Sequence, residues 1–289
     1  MRRAAAAGAF ALALALAGCG KRDPVPAGKG PAGAFPAPPR SDAATIWAVG
    51  DGDGSPASRR VVGLMDRTRP TRVLYLGDVY ESGTAADFRS NFTGTFGARK
   101  RRTLPTPGNH DWPNHAEGYD PYWATVTGRR PPSFYAVHTA GWQLLSLNSE
   151  EPLGPGSAQV RWLRSRLSGQ GTCRLAFWHR PRYSAGQRHG DQPDVAPLWN
   201  AVRGRAALVV NGHEHDMQQL RPQAGTTPLV SGAGGRGHYS VDRQDRRVAW
   251  ANDRDYGALR VDLRPGSARF AFVAAGGREL RRGSVACRR

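Results

Sequence analysis

The chain has 289 residues, of which 39% are hydrophobic, and this length is sufficient for one large domain with a substantial core. Its formal net charge is +18, and nearly all of the positive charge is arginine because the only lysines are Lys21, Lys29 and Lys100. Such a charge indicates either a surface that attracts anions or a compositional bias with arginines spread over solvated faces. The one dense basic cluster is Arg99–Arg102, and no basic motif with interleaved aromatic residues is present. Nucleic acid is therefore not the favoured partner.

The N-terminus has the features of an export signal. Two arginines precede the apolar stretch Ala4–Ala17, which is too short to span a bilayer. The stretch ends in Leu16-Ala17-Gly18-Cys19, which resembles a bacterial lipobox. The resemblance implies that residues 1–19 form a lipoprotein signal peptide and that Cys19 is lipidated. We therefore expect an exported protein, anchored by lipid at the outer face of the bacterial cell membrane or in the periplasm. The alternative is an ordinary cleaved signal with a chance cysteine.

The segment that follows is dominated by Pro, Gly and Ala over residues 20–42. This composition blocks regular structure and predicts a semi-extended spacer that holds a domain away from a membrane. Order is expected to begin near Ala43, and one domain to occupy residues 43–289.

The remaining cysteines, Cys173 and Cys287, are two candidates for a disulfide bond. An exported protein meets oxidising conditions, so the pair could join the C-terminal tail to a core strand. The alternative is two unpaired thiols, one of them buried.

The first half of the domain alternates between strand and helix patterns. After the third motif turn, the aromatic and proline-rich segment Asp111–Pro132 is predicted to be a loop. Two strands with hairpin spacing follow it, and from Met217 onward the pattern is β. The predicted strands are Thr45–Gly50, Arg72–Gly77, Ser133–His138, Trp142–Asn148, Cys173–Trp178, Ala206–Val210, Leu229–Ser231, Tyr256–Leu263, Arg269–Ala274 and Glu279–Val285, and the predicted helices are Ala57–Arg69, Ala85–Ser90, Ala158–Leu167 and Val195–Val202.

This order of elements predicts an α/β fold with two packed mixed β-sheets flanked by helices, a four-layer αββα sandwich. A single sheet with so many strands would curl or split, which favours two sheets.

Metal-ligand types of residue follow five successive apolar or strand-length runs. The residues, in chain order, are Asp51, Asp78, Asn109-His110-Asp111, His179 and His213-Glu214-His215. Ligands at successive strand ends would converge on one edge of a sheet, where sites form in α/β proteins. Asp, Asn and His together suit metal ions of intermediate hardness. The two histidines of the last motif are spaced by two on an extended segment and point the same way, so both can serve one metal centre.

The ordered set of motifs resembles the calcineurin-like metallophosphoesterases. The residues that carry the resemblance are Val49-Gly50-Asp51-Gly52-Asp53, Gly77-Asp78, Gly108-Asn109-His110-Asp111, His179 and Gly212-His213-Glu214-His215. The C-terminal part, with Val230–Gly235, Tyr256-Gly257 and a final β hairpin, is similar to the purple-acid-phosphatase-like branch of that family.

The resemblance implies a centre with two metal ions, which would be Fe, Zn, Mn or Mg. Asp51 and His215 would hold the first ion and Asp78 would bridge both ions. The second ion would be held by Asn109, His179 and His213. An anionic bridge is needed because two ions about 3.5–4 Å apart repel each other.

Two positions depart from the family pattern. Many relatives have a histidine where this chain has Asp53, which is either a possible metal ligand or a solvated turn residue. In the purple-acid-phosphatase pattern a tyrosine lies three residues after the second aspartate, whereas Tyr80 lies two residues after Asp78. Tyr80 is either a possible metal ligand or a packed aromatic residue.

Other side chains are candidates for catalysis and substrate binding. His110 cannot readily share a metal with Asn109, because adjacent side chains diverge. The family resemblance makes His110 the catalytic group that protonates the leaving alkoxide, with Asp111 orienting it. His189 is a possible residue of the pocket mouth. Arg180, like Arg182, is either a possible ligand of phosphate oxygens or a surface arginine.

The function that the resemblance implies is hydrolysis of phosphate monoesters by attack of a metal-bound hydroxide at the dinuclear site. Phosphodiester or nucleotide hydrolysis at the same site is the near alternative. A non-catalytic lipoprotein that binds anions or nucleic acid is the alternative from a different class.

Overall fold

The computed structural model describes residues 35–169 and 171–287. The predicted signal peptide over 1–19, its lipidation site Cys19 and the spacer residues 20–34 lie outside the described residues. Within the described ranges, no helix has the length and apolar character needed to cross a bilayer.

The described residues form thirteen strands and five α-helices, with short 3₁₀ or π-helical segments between them. The strands are β1 (Ala44–Val49), β2 (Arg72–Tyr75), β3 (Thr103–Pro105), β4 (Tyr135–Thr139), β5 (Trp142–Ser146), β6 (Cys173–Trp178), β7 (Leu208–Asn211), β8 (Met217–Leu220), β9 (Thr227–Ser231), β10 (Val248–Asn252), β11 (Gly257–Arg264), β12 (Ser267–Ala274) and β13 (Glu279–Ala286). The α-helices are α1 (Pro56–Thr68), α2 (Ala85–Asp87), α3 (Tyr119–Thr127), α4 (Ala158–Leu167) and α5 (Ala196–Val202). The other helical segments are Phe88–Phe92, Gly97–Arg102, Trp112–Asn114 and Pro193–Val195.

Two mixed sheets pack face to face, which confirms the predicted fold class. In the described chain one sheet has the strand order β13-β12-β11-β1-β2-β3 and the other β10-β8-β9-β7-β6-β5-β4. The strands β1, β2 and β3 run parallel to one another, as do β5, β6, β7 and β9.

The sheet that contains β6 is buried on both faces. Along β6, Leu175 and Phe177 belong to the core between the sheets, whereas Ala176 and Trp178 pack with the outer helices α4 and α5. This period of two explains why the strand reads as a continuous apolar run, as is usual for parallel strands covered on both sides.

A disulfide bond joins Cys173 to Cys287, with the two Cα atoms 5.4 Å apart. Of the two alternatives for these cysteines, the bonded one is present. The bond connects the first residue of β6 in one sheet to the residue just after β13 in the other.

Two predictions about order and secondary structure are wrong. The packed structure begins before Ala43, because Phe35 is buried and its ring lies 4.6 Å from that of Tyr135. The segment Asp111–Pro132 is not a loop throughout, since it contains α3. Pro121 lies in the first turn of α3, where a missing N–H costs no hydrogen bond, and Trp123 is fully buried beneath it. The strands β8 and β10 were not among the named strands, although both lie in the region from Met217 onward that was predicted to be β.

Candidate metal centre

The predicted metal ligands lie at one rim of the two sheets. Asp51, Asp78 and Asn109 follow the parallel strands β1, β2 and β3, and His179 and His213 follow β6 and β7. A hydrogen bond joins the two sheets at this rim: His213, after β7, donates its backbone N–H to Asp51 Oδ2, after β1, over 2.9 Å. The carboxyl ends of parallel strands therefore meet across the interface between the sheets, as the sequence pattern predicted.

One half of the centre is built around His179. Its Nε2 lies 3.3 Å from Asp78 Oδ2, 3.1 Å from Asn109 Oδ1 and 3.2 Å from His213 Nδ1. Asp78, His179 and His213 each offer one ligand atom, and these three atoms lie within 4.8 Å of one another. This spacing suits a single metal ion.

The other half is built around His215. Its Nε2 lies 3.8 Å from Asp51 Oδ1 and 2.7 Å from the hydroxyl oxygen of Tyr80. Tyr80 is buried, and burial, together with the nearby charge of Asp51, raises the pKa of its hydroxyl. The structure thus places Tyr80 beside the predicted ligands despite its shifted position in the sequence.

The donor set fits metal ions. Asp51 Oδ1 and Asp78 Oδ2 are buried. Among the described residues Asp51 Oδ1 accepts no hydrogen bond, and Asp78 Oδ2 faces His179 Nε2, itself a predicted ligand, at 3.3 Å. Buried carboxylate oxygens without a partner are costly, and a bound cation would satisfy both of them. The two oxygens lie in different halves of the centre, each beside side chains of the predicted His or Asn ligands.

The two histidines of the His179 half have opposite pKa shifts. Burial acts to lower the pKa of His179, but attraction and hydrogen bonding to Asp78 outweigh it and raise the pKa to about 10. Burial, reinforced by the charge of His179, lowers the pKa of His213 to about 2. Without a metal ion, His179 therefore carries the proton that a cation would displace.

A cavity of about 260 Å³ opens above the centre. Its floor includes Asp78, Asn109 and His213, and its walls include the predicted residues Tyr80, His110 and His189. The ring of His189 lies 4.1 Å from that of His213, which agrees with its predicted place at the pocket. Four cavity residues were not predicted: Glu81, Arg188, Arg236 and Tyr239.

Comparison with known protein families agrees with this geometry. The family model described as calcineurin-like phosphoesterase matches residues 45–217, which is more than half of the chain. The chain belongs to the calcineurin-like phosphoesterase family. Members of this family typically bind two metal ions. No curated protein sequence matched the chain significantly.

Solved structures with a similar fold include two phosphatases and an anchor protein of a membrane complex. GAP50, the anchor in the inner membrane complex of Plasmodium, superposes with a TM-score of 0.72 at 12% identity, over 86% of this chain and 90% of GAP50. The purple acid phosphatase PPD1 from yellow lupin seeds has a TM-score of 0.69 at 14% identity, over 87% of this chain and 55% of PPD1. A dimetal phosphatase from Danio rerio has a TM-score of 0.57 at 12% identity, over 84% of this chain and 98% of that one. At these identities the likeness shows the fold alone.

Backbone carbonyl groups orient the imidazole rings of two predicted ligands, His179 and His215. His179 donates its Nδ1–H to the carbonyl oxygen of Leu76 over 2.7 Å, and His215 donates its Nδ1–H to that of Gly237 over 2.7 Å. Each Nε2 is consequently directed at the centre, the arrangement that fixes metal-binding histidines.

The family's glycine before Asn109 has a steric reason here. A Cβ atom on Gly108 would lie 2.0 Å from Asp78 Oδ1 and 2.7 Å from the backbone nitrogen of Asp78. Because one of these neighbours is backbone, no side-chain rotation relieves the clash. Only glycine fits at this point of the calcineurin-like centre.

The prediction that Asp111 orients His110 is wrong. The Asp111 carboxylate is buried and accepts the backbone N–H groups of Asp78, Val79 and Gly108 at 2.8–2.9 Å. It therefore shapes the loops that carry the ligands. The ring of His110 instead donates its Nδ1–H to the carbonyl oxygen of Glu81 over 2.6 Å.

Asp53 and Arg180 have structural contacts in place of their predicted functional ones. Asp53 Oδ1 accepts Ser55 N–H at 3.0 Å and the Ser58 hydroxyl at 3.1 Å, so its carboxylate supports the first turn of α1. Arg180 does not line the cavity, because its guanidinium pairs with Glu150 at 3.0 Å and Asp194 at 2.6 Å. Of the two alternatives for Arg180, these contacts favour an arginine outside the substrate site.

Glu214, between the two histidines of its motif, is buried and has a structural role that the sequence did not indicate. Its Oε1 accepts Gly190 N–H at 2.7 Å and the Ser184 hydroxyl at 3.2 Å, which fastens the loop that carries His189. Burial raises the pKa of Glu214 to about 7. The signal in the sequence is its position between the two motif histidines, but the loop that it fastens lies more than 20 residues away and is not visible from spacing.

Proposed function

We propose that this chain is a metal-dependent phosphoesterase that hydrolyses phosphate monoesters at a dinuclear centre. The observation that carries the proposal is a pair of buried carboxylate oxygens, Asp51 Oδ1 and Asp78 Oδ2, at the rim where the predicted ligands converge. Among the described residues, neither oxygen accepts a hydrogen bond from a residue outside the predicted ligand set. A purely structural rim would be expected to pair such oxygens with protein donors.

The proposed ligands divide between two ions. Asp51 and His215 would hold the first ion with Tyr80 beside them, and Asp78 would bridge to the second. Asn109, His179 and His213 would complete the second site. Two bound ions would supply an activated water nucleophile and neutralise charge on the phosphate. Fe, Zn, Mn and Mg are all compatible with carboxylate, amide and imidazole donors.

His110 is the proposed proton donor for the leaving alkoxide. Its Nδ1–H is donated to the carbonyl oxygen of Glu81, so Nε2 is the atom that can hold and release a proton. The His110 backbone N–H donates to Asp78 Oδ1 over 2.9 Å, and its ring packs 4.4 Å from that of Tyr80. These contacts hold the ring at the wall of the cavity, from which it would reach a phosphate ester bound above the centre.

Export and lipid anchoring are proposed from the sequence of residues 1–19, with Cys19 as the lipidation site. The disulfide bond between Cys173 and Cys287 supports export, since such bonds persist in oxidising compartments and are rare in the cytosol. Replacing Cys19 with Ser should move the protein from the membrane fraction to the soluble fraction. Unchanged membrane association would contradict the anchor.

The test of the catalytic proposal measures metal content and turnover together. Full-length protein is loaded with each candidate metal, and hydrolysis of p-nitrophenyl phosphate is compared with that of bis-p-nitrophenyl phosphate. His213→Ala should lose metal and turnover, whereas His138→Ala, an exposed histidine on β4, is the matched control. Wild-type turnover in His213→Ala would refute the proposal, and a preference for the diester would replace monoesters with diesters as the substrate class.

A further inference from the structure

Two arginines line the cavity without a part in the proposed chemistry. The guanidinium of Arg236 lies 4.8 Å from the centre of the Tyr80 ring and pairs with Glu81 at 2.7 Å. The guanidinium of Arg188 lies 5.9 Å from the centre of the Tyr239 ring, and among the described residues no carboxylate lies within ion-pair distance of it. Both tyrosines contact His215, with ring separations of 5.6 and 4.1 Å. The two cations therefore lie on neighbouring parts of one wall.

The backbone around Arg236 is fixed to the metal centre itself. Arg236 donates its N–H to the carbonyl oxygen of Asp51 over 3.1 Å. The next residue, Gly237, accepts the Nδ1–H of His215 at 2.7 Å. Arg236 is consequently attached to both proposed ligands of the first ion.

The backbone around Arg188 is fixed in a comparable way. On one side Gln187 donates its N–H to the carbonyl oxygen of Ser240 over 2.8 Å. On the other side Gly190 donates its N–H to the buried Glu214 carboxylate over 2.7 Å. An exposed arginine on a loop held at both flanks is pre-organised for a ligand, because less of its freedom is lost on binding.

We propose that Arg188 and Arg236 bind a second anionic group of the substrate, adjacent to the phosphate at the metal centre. The inference rests on the proposed function, since that phosphate is its reference point. Two metal ions already neutralise one phosphate, so two further cations on the same wall match a ligand that carries more charge. Guanidinium forks bind phosphate in a bidentate manner. The cavity of about 260 Å³ suits two small anionic groups, with the remainder of the substrate outside. Phosphate monoesters that carry a second, neighbouring phosphate group are the substrate class with this chemistry.

The test compares a ligand that has one anionic group with a ligand that has two. Orthophosphate and imidodiphosphate, a diphosphate analogue, are titrated into metal-loaded, full-length protein by isothermal titration calorimetry. The wild type should bind imidodiphosphate more tightly. The measured quantity is the Kd for orthophosphate divided by the Kd for imidodiphosphate. Arg188→Gln and Arg236→Gln should each reduce this ratio by about tenfold or more, which is the effect of losing one charged hydrogen bond. Arg164→Gln, an exposed arginine on α4, is the control for net charge and should preserve the ratio.

The ratio of Kd values decides the inference without reference to turnover. Equal ratios in the wild type and both variants, or no preference for imidodiphosphate in the wild type, would overturn it. Arg188 is exposed and lacks an ion pair in the described structure, so Arg188→Gln keeps the test valid even if Arg236→Gln destabilises the fold. Failure of the wild type to hydrolyse p-nitrophenyl phosphate would instead count against the proposed function alone.

Discussion

Removing the Cys173–Cys287 disulfide should lower the free energy of unfolding by about 5 kcal/mol. The bond joins residues 114 positions apart. In the chain-entropy model, a loop of that length removes about 16 cal/mol/K from the unfolded state, which is about 4.8 kcal/mol at 25 °C. This is a large fraction of the roughly 5–15 kcal/mol that stabilises a typical protein. The molecule without the bond should therefore be only marginally stable.

The same change should leave turnover intact in the folded protein. Cys173 begins β6, and the proposed ligand His179 comes immediately after its last residue, so the bond and the metal centre lie about 20 Å apart at the rise of a strand. The assay is urea unfolding followed by tryptophan fluorescence, for the oxidised wild type, the reduced wild type and the Cys173→Ala/Cys287→Ala variant. A loss of stability below about 1 kcal/mol would refute the entropic argument. A parallel fall in kcat/KM would refute the separation of the bond from the site.

Three further substitutions probe the centre. Gly108→Ala should abolish metal binding, since its Cβ would lie 2.0 Å from the Asp78 carboxylate, whereas Gly63→Ala on α1 has no neighbour within 4 Å and should be stabilising. Elemental analysis distinguishes the two variants, and metal retained in Gly108→Ala would contradict the steric argument. Glu214→Ala leaves the buried Ser184 hydroxyl and the half-buried Gly190 N–H without their acceptor, so it should cost about 1–3 kcal/mol and lower kcat/KM with metal content kept. Urea unfolding and kinetics test this, and wild-type values for both would remove its role in fastening the loop. His110→Ala should lower kcat by about 10²–10⁴-fold for alkyl phosphates and by less for p-nitrophenyl phosphate, because the nitrophenolate leaving group needs no proton. An equal loss of kcat for both esters would rule out proton donation.

The fold and most of the centre could be predicted because both depend on local patterns. A buried parallel strand is a short apolar run, and the polar residue that follows it must lie at the carboxyl edge of the sheet. Asp51, Asp78 and His179 satisfy this rule in the structure. The residues that form the wall of the cavity could not be predicted from such a pattern. Arg236 and Tyr239 lie in a segment rich in glycine and arginine, and hydrogen bonds to distant loops determine their positions.

The missed strand β8 has a different physical reason. Its sequence Met-Gln-Gln-Leu lacks the apolar alternation of a core strand. Gln218 is nevertheless fully buried, because its amide donates to Asp216 and its carbonyl oxygen accepts the N–H of Ala185. A buried polar side chain is tolerated where its hydrogen bonds are satisfied, and those partners are 2 and 33 residues away. Hydropathy alone cannot indicate such a strand.

Three of the six described non-glycine residues with positive φ are proposed ligands. Asp51, Asp78 and His213 have φ values of 65°, 60° and 71°, in the left-handed region that residues other than glycine rarely adopt. Such conformations persist only where the surroundings over-determine them, and they cluster at functional sites. Here hydrogen bonds from His110 and His213 to the two aspartates, together with the close approach of Gly108, hold the loops in place. Strained backbone and buried carboxylate oxygens therefore coincide at the rim where His179 follows β6. The disulfide bond lies at Cys173, the first residue of β6, and so at the opposite end of that strand. This separation lets the fold support a costly arrangement of ligands, because the stabilising bond and the destabilising site do not compete for the same residues.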